Sequence, residues 1–136
     1  MSQPASKAND ISMVETKLIE HLPYDVDGGI ASRAAIGLIV LATDYTIEHE
    51  WRAIMAGLKG VALYQSRILN DAQITPETLR AMEPRIAAAT DVILPGNPLD
   101  VVAYGCTSAS MAIGEEKVFA RIREALKVKA PKPVAE

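Results

Sequence analysis

The stretch AAIGLIVL at residues 34–41 is the strongest structural signal in this sequence of 136 residues. Eight consecutive apolar or glycine residues, with no polar alternation, are typical of a strand that is buried on both faces of a parallel sheet. The polar residues 42–46 follow and predict the end of the strand. We therefore expect residues 34–41 to form a buried strand of an α/β domain.

The rest of the chain alternates between helical and extended patterns. The pattern predicts a helix at residues 47–58, a strand at 61–68, a helix that begins at Thr75-Pro76 and runs to residue 93 with a second start at Pro84, a strand at 99–104 and a helix at 114–128. In the first helix, four apolar side chains are expected on one face: Trp51, Ile54, Met55 and Leu58. This alternation predicts an α/β fold with a small parallel sheet flanked by helices.

The flanking regions differ in composition from the predicted domain. We interpret residues 1–33 as an N-terminal extension, residues 34–128 as one α/β domain and residues 129–136 as a flexible tail. The extension has a weak helical pattern at residues 11–21, which is compatible with a short docking helix. It ends in a turn cluster at residues 25–29.

Composition excludes several classes of function. The net charge is -3 and the basic residues are scattered, so the sequence predicts no nucleic-acid partner. No apolar run approaches the ~20 residues that span a bilayer, so no membrane partner is predicted. The single cysteine excludes an internal disulfide, and no cluster has the spacing of metal ligands. We expect a soluble cytoplasmic protein with no metal.

Two polar segments follow the first and third predicted strands. Because ligands bind at the carboxyl ends of parallel strands, both segments are candidate site residues. The first segment contains Asp44, Tyr45 and Thr46, and the second contains Cys106, Thr107 and Ser108. If a helix follows Cys106, its free amides would suit a carboxylate, and the thiol would ionise more easily as a base or nucleophile.

Each candidate also has a structural interpretation. Cys106 could be a small buried apolar residue at the end of a strand. Asp44 could orient a base or bind substrate, but a helix N-cap is an equally good interpretation, and the two roles are compatible. Tyr45 and Tyr104 could each reach a ligand or simply pack as aromatic residues. His49 is interpreted as a surface residue.

Three segments together resemble a known family. They are IGLIV at residues 36–40, DYTIEHE at 44–50 and DVVAYGCTS at 100–108. The sequence from about residue 34 to about residue 125 resembles the first half of the maleate cis-trans isomerase and arylmalonate decarboxylase family, which belongs to the aspartate/glutamate/hydantoin racemase superfamily. The Gly-Cys-Thr-Ser segment is the more specific of the motifs.

The resemblance implies a fold, a reaction class and a set of roles. It implies two similar α/β domains related by a pseudo-twofold axis, an active site between them, and no metal or organic cofactor. Cys106 matches the first-half cysteine, which is the nucleophile that adds to the double bond in maleate isomerases and one of two opposed thiols in racemases. Thr107 and Ser108 match donors to the substrate carboxylate. Arylmalonate decarboxylases carry glycine at this place, so Cys106 disfavours a typical decarboxylase.

This sequence departs from the family at two points. Asp44 stands where maleate isomerases commonly have an asparagine that binds a carboxylate, whereas racemases of the superfamily do have an aspartate after the first strand. The second-half cysteine does not occur in the 136 residues. The chain is therefore interpreted as a fragment, a degenerate product or a half-size protein that forms a homo-oligomer with two facing copies of Cys106.

We expect a cofactor-independent isomerase or racemase-type enzyme for a small carboxylate or dicarboxylate. An arylmalonate decarboxylase-like enzyme and a non-catalytic carboxylate-binding or oligomerisation module are the alternatives.

Overall fold

The computed structural model of the chain describes residues 17–25 and 27–129. Residues 17–25 and 27–33 contain no helix or strand. The elements that follow are β1 (Ala34–Leu41), α1 (Ile47–Met55), β2 (Val61–Ile68), α2 (Pro76–Arg80), a 3₁₀ helix (Glu83–Arg85), α3 (Ile86–Asp91), β3 (Val101–Tyr104), α4 (Thr107–Ile113) and α5 (Glu115–Lys129). This order confirms the predicted alternation.

The three strands form one parallel sheet in the order β2-β1-β3. The stretch that the sequence marks as fully buried is the central strand, which explains why it lacks polar alternation. Ala34 pairs with Val61 of β2, and Ile36 pairs with Val101 of β3. An α/β fold with a small parallel sheet flanked by helices is therefore confirmed.

The larger part of the core lies on one face of the sheet. Side chains of a strand alternate between the two faces, so Ile39 points to this face and Leu38 to the other. The buried residues that pack with Ile39 come from β2 and from the helical segments after it: Ile68, Met82, Ile86, Ala89, Ile93, Ala109, Ile113, Val118 and Ile122. This layer fixes the positions of α2 to α5 against the sheet.

The opposite face is covered by α1. The Ile47 side chain lies beside Gly105, on the same face as Leu38. Trp51 and Met55 are half-buried, but Ile54 is 78% exposed and Leu58 is also exposed. Of the four apolar residues predicted on one face, Ile54 and Leu58 therefore do not pack on the sheet, because α1 ends at Met55 and only part of its apolar surface meets the sheet.

The predicted helix from Thr75 to residue 93 is divided. Thr75 caps α2 through a reciprocal pair of hydrogen bonds with Thr78, and Pro76 occupies the first turn as predicted. A 3₁₀ helix that contains Pro84 then separates α2 from α3. A proline cannot donate its amide to a preceding turn, so the break near Pro84 has a direct physical cause.

Other boundaries shift by smaller amounts. The third strand begins at Val101 rather than residue 99, and the last helix extends to Lys129, the first residue of the predicted tail. The predicted docking helix at residues 11–21 lies mostly outside the described residues, and its described part, residues 17–21, is not helical. Of the helices in the described part of the chain, none is long and apolar enough to cross a membrane.

Candidate functional site

A cleft of about 320 Å³ opens at the carboxyl ends of all three strands. This is the position at which an open parallel sheet is expected to bind a ligand. We call it the thiol cleft, and it is lined by Leu41, Thr43, Asn70, Asp71, Ala72, Gln73, Ile74, Thr78, Leu79, Met82, Cys106 and Ser108. The loops after β1 and β2 and the start of α4 each supply part of its wall. The fold therefore brings Cys106 next to the first two loops.

Glycine is required at position 105 because the chain passes close to two neighbours there. The Gly105 amide donates a hydrogen bond to the Ile39 carbonyl at 2.8 Å. A Cβ atom at this position would lie 2.9 Å from the same carbonyl oxygen and 2.9 Å from Cδ1 of Ile47. The strand-to-helix turn can therefore lie tight against β1 and α1 only without a side chain, and this contact sets the position of Cys106.

Cys106 occupies the N-cap position of α4. Its carbonyl accepts hydrogen bonds from the Ser110 amide and the Ser110 hydroxyl, both at 3.0 Å, and its side chain does not cap the helix. The residue is half-buried, packs against the larger core and lines the thiol cleft. Its sulfur has no hydrogen-bond partner among the described residues. The thiol is therefore fixed by its backbone and still accessible from the cleft.

Tyr104 lies two residues before Cys106 on the core face of β3. Its hydroxyl is 3.9 Å from the Met82 sulfur, a weak contact. Burial, followed by the negative charge of the Cys106 sulfur, raises the pKa of Tyr104 to about 12. The phenol therefore stays protonated over the whole physiological range.

This raised pKa predicts a loss of stability in alkali. Unfolded Tyr104 loses its proton near 10.0, whereas the folded residue keeps its proton to about 12, so stability falls as the pH rises between these values. The full difference would correspond to roughly 2–3 kcal/mol. Solvent screening of this half-buried group reduces the expectation to about 1 kcal/mol. Urea unfolding at pH 9 and pH 11.5 measures the loss, and Tyr104→Phe should remove it. An equal loss in that variant would contradict the assignment.

The Asp44 carboxylate binds the backbone amides at the start of α1. Its Oδ1 atom accepts hydrogen bonds from the Thr46 amide at 2.8 Å and from the Ile47 amide at 2.9 Å. The amide of Ile47, followed by that of Thr46, lowers the pKa of Asp44. The carboxylate is therefore ionised and engaged with the backbone. The N-cap residue of α1 is Thr46, so the interpretation of Asp44 as the N-cap is wrong by two positions, although its carboxylate accepts the first amide of the helix. The role of Asp44 in substrate binding stays a prediction.

Arg67 holds the loop after β1 in place. Its guanidinium donates to the carbonyl oxygens of Asp44 at 2.7 Å, Ala42 at 3.2 Å and Leu41 at 3.3 Å. It also forms an ion pair with Glu48 of α1 at 3.2 Å. Arg67 thus joins β2, the loop and the first turn of α1, and it fixes one edge of the thiol cleft.

Asn70 connects the loops after β1 and β2. Its Oδ1 atom accepts a hydrogen bond from the Thr43 amide at 3.2 Å, and its Nδ2 atom donates to the Thr43 hydroxyl at 2.9 Å. Further along the loop, Asp71 accepts from the Gln73 amide at 2.8 Å. The Thr78 hydroxyl donates to the Gln73 carbonyl at 2.7 Å. These bonds give the cleft a rim whose polar groups are largely satisfied internally.

The loop after β2 is a part of the site that was not predicted from the sequence. Asn70 and Asp71 directly follow Ile68-Leu69. Their position at the carboxyl end of a predicted strand was the sequence signal that could have identified them as site residues.

Of the predicted site residues, Cys106 and Ser108 line the thiol cleft. Asp44, Tyr45 and Thr46 instead line a neighbouring depression of about 270 Å³ that shares Leu41 and Thr43 with the cleft. Thr107 lines neither cavity and is exposed.

The thiol cleft has an unusual balance of charge. The described residues that line it include one carboxylate, Asp71, and no lysine, arginine or histidine. Within the described part of the chain, no group of three histidine, cysteine, aspartate or glutamate side chains is placed to hold a metal ion. The thiol of Cys106 therefore shares the cleft with one carboxylate, that of Asp71, and otherwise with uncharged side chains.

Comparisons with models of protein families, with curated proteins and with solved structures found no match to this chain.

Proposed function

We propose that this chain supplies the thiol of a cofactor-independent isomerase or racemase-type site that acts on a small carboxylate. The analogy is with the first domain of the maleate isomerases, which the segments at residues 36–50 and 100–108 resemble. The observation that carries the proposal is the position of Cys106. It stands at the carboxyl edge of the sheet, on a turn that Gly105 holds against Ile39, and its sulfur faces a cleft.

The thiolate would act as a nucleophile on an unsaturated acid. Its sulfur forms a bond to one carbon of the double bond, and the π electrons move onto the adjacent carbon and its carboxylate. The new single bond rotates, the electrons return and the carbon–sulfur bond breaks, so the thiolate is regenerated. Ser108, on the first turn of α4, is placed to donate a hydrogen bond to the substrate. Because α4 has only seven residues, its dipole would add little to carboxylate binding.

The aspartates restrict the form of the substrate. Asp44 is ionised and accepts the amides of Thr46 and Ile47, and Asp71 lines the thiol cleft itself. A dicarboxylate would place a second negative charge near these groups without a cation in the cleft to offset it. A monocarboxylate therefore fits the proposal better than a dicarboxylate. A racemase-type reaction needs a second thiol, which a facing copy of the chain would supply in a homo-oligomer.

Alkylation of Cys106 tests the proposal. We expect iodoacetamide at pH 7 to modify the protein at one position, Cys106, and faster than it modifies free cysteine, because the proposed reaction uses the thiolate. Maleate, crotonate and acetate would be compared as protecting ligands, with the rate followed by intact mass spectrometry. Cys106→Ser is the control for modification elsewhere. Alkylation at the rate of a free cysteine, unaffected by all three acids, would rule the proposal out.

A non-catalytic carboxylate-binding module is the second candidate. The absence of lysine, arginine and histidine among the described residues of the cleft favours it, because no cationic side chain there would support a thiolate. This candidate predicts that a carboxylate raises the Tm of the wild type and of Cys106→Ser equally, with no change in the ligand. Cis-trans conversion of an unsaturated acid, either a monocarboxylate or maleate, followed by its absorbance, would decide for the isomerase. An arylmalonate decarboxylase-like activity is less favoured, since Cys106 takes the place of the glycine typical of those enzymes.

A further inference from the structure

A second groove continues directly from the thiol cleft. It has a volume of about 380 Å³ and shares Ile74, Leu79 and Ser108 with the cleft. From these residues it extends over α2 and α4 to Arg80 and Met111. We call it the Arg80 groove. A single elongated molecule could therefore occupy both cavities, with Ser108 near its middle.

Arg80 gives this groove the cation that the thiol cleft lacks. The Arg80 Nε atom donates to the Ala112 carbonyl at 3.2 Å, which holds the guanidinium against α4. No ion pair joins Arg80 to an acid among the described residues. The pKa of the nearby Glu77 is lowered first by its own amide and then by Thr75, and Arg80 contributes least. The outer guanidinium nitrogens therefore remain available to an anion.

The walls between Arg80 and Cys106 are apolar. Ile74 and Met111 are each 78% exposed, although both are large hydrophobic residues, and Leu79 is half-buried between the two cavities. An apolar ligand that covers Ile74 and Met111 would remove this surface from water. The opposite end of the combined space carries Asp71, which repels an anion. Charge therefore orients a ligand with its anionic end at Arg80.

We propose that the Arg80 groove is a binding subsite for the carboxylate of a monocarboxylic acid with an extended apolar body. The apolar body lies over Ile74, Leu79 and Met111, and its far end reaches the thiol cleft at Cys106. The subsite rests on the proposed function only for the class of its ligand, a carboxylate. The addition described above needs the carboxylate next to the double bond, so an acid whose carboxylate lies at Arg80 occupies the cleft without being attacked by Cys106.

Calorimetric titration of the full chain with acetate, butyrate, hexanoate and octanoate tests the subsite. We expect affinity to rise along this series, and octanamide to bind at least about ten-fold more weakly than octanoate, because it lacks the charge. Arg80→Met should weaken octanoate binding by at least about ten-fold, and Arg80→Lys should weaken it less. Arg85→Met is the matched control, since Arg85 also donates to a backbone carbonyl, that of Leu69 at 3.0 Å, but lies outside both cavities. Equal binding of octanoate and octanamide, or equal losses in the Arg80 and Arg85 variants, would overturn the subsite.

Two further measurements distinguish a carboxylate subsite from a reaction at the thiol and from a contact between copies of the chain. The titration is repeated in Cys106→Ser, which has an unreactive side chain at the thiol position. Octanoate binding by this variant would support the subsite. The alkylation test decides the proposed function independently. Sedimentation of the wild type and of Met111→Glu examines self-association. A dimer that dissociates in Met111→Glu would overturn the proposal, because Ile74 and Met111 would then form a contact between copies. A wild type whose mass is unchanged by Met111→Glu supports it.

Discussion

Replacing Gly105 with alanine is expected to lower the free energy of unfolding by about 1–3 kcal/mol, in the range of overpacked core positions. The added Cβ atom would lie 2.9 Å from the Ile39 carbonyl oxygen and 2.9 Å from Ile47 Cδ1. A side chain could move aside, but the carbonyl belongs to the central strand and accepts the Gly105 amide. The turn between β3 and α4 must therefore shift away from β1. Because Cys106 is the next residue, we also expect its alkylation rate to change.

Gly57 provides the matched control for this substitution. Nothing lies within 4 Å of a Cβ atom at Gly57, and its backbone is not in the left-handed region. Gly57→Ala should therefore leave stability unchanged or raise it slightly, by up to about 1 kcal/mol. Urea unfolding of both variants gives the comparison. If Gly105→Ala were as stable as Gly57→Ala, the close approach to β1 would not be what fixes the Cys106 turn.

Truncation of Leu38 is expected to have the larger effect on stability. Leu38 is fully buried at the centre of β1, on the face that α1 covers. Leu38→Ala should lower the free energy of unfolding by about 2–5 kcal/mol, because it removes buried apolar surface and leaves a cavity that the sheet cannot close. The change can be measured by urea unfolding followed by circular dichroism.

Ile54→Ala is the control on the facing helix. Ile54 belongs to α1, but its side chain is mostly exposed, so its truncation should change stability by no more than about 0.5 kcal/mol. The pair of variants tests which part of α1 covers the sheet. A large loss in Ile54→Ala, or a small one in Leu38→Ala, would show that α1 packs through a different side.

The sheet could be predicted closely from the sequence because its strands are marked by burial. The predicted ranges of β1 and β2 match the observed strands. For β1 the signal is an uninterrupted apolar run, which has few alternatives in an α/β domain, and for β2 it is the alternation of its side chains. The start of β3 was less evident. Asp100 joins the ladder through a hydrogen bond from its amide to the Ala35 carbonyl and one from the Ala35 amide to its carboxylate. Such pairing leaves no apolar signal in the sequence.

Helix α4 was not predicted as a separate element, because TSASMAI has no apolar stripe at helical spacing. It is held by tertiary contacts, with Ala109 and Ile113 in the core, and these contacts override weak local propensity. The residues of the thiol cleft also depend on tertiary contacts. The loops that carry Asp44 and Cys106 could be assigned from the ends of their strands. The cleft residues Asn70, Asp71 and Thr78 could not, because they are distant in sequence from Cys106 and their positions depend on how the loop after β2 folds back.

The position of β1 in the sheet has a consequence for the order in which the molecule assembles. Among the described residues β1 is the first strand in sequence and the central one in space, and its contact with Asp100 spans 65 residues. β1 and β2 are close in sequence and can pair before residue 100 is available, whereas pairings of large sequence separation form slowly. Cys106 lies two residues beyond β3, so its turn against Ile39 can form only after β3 has joined the sheet.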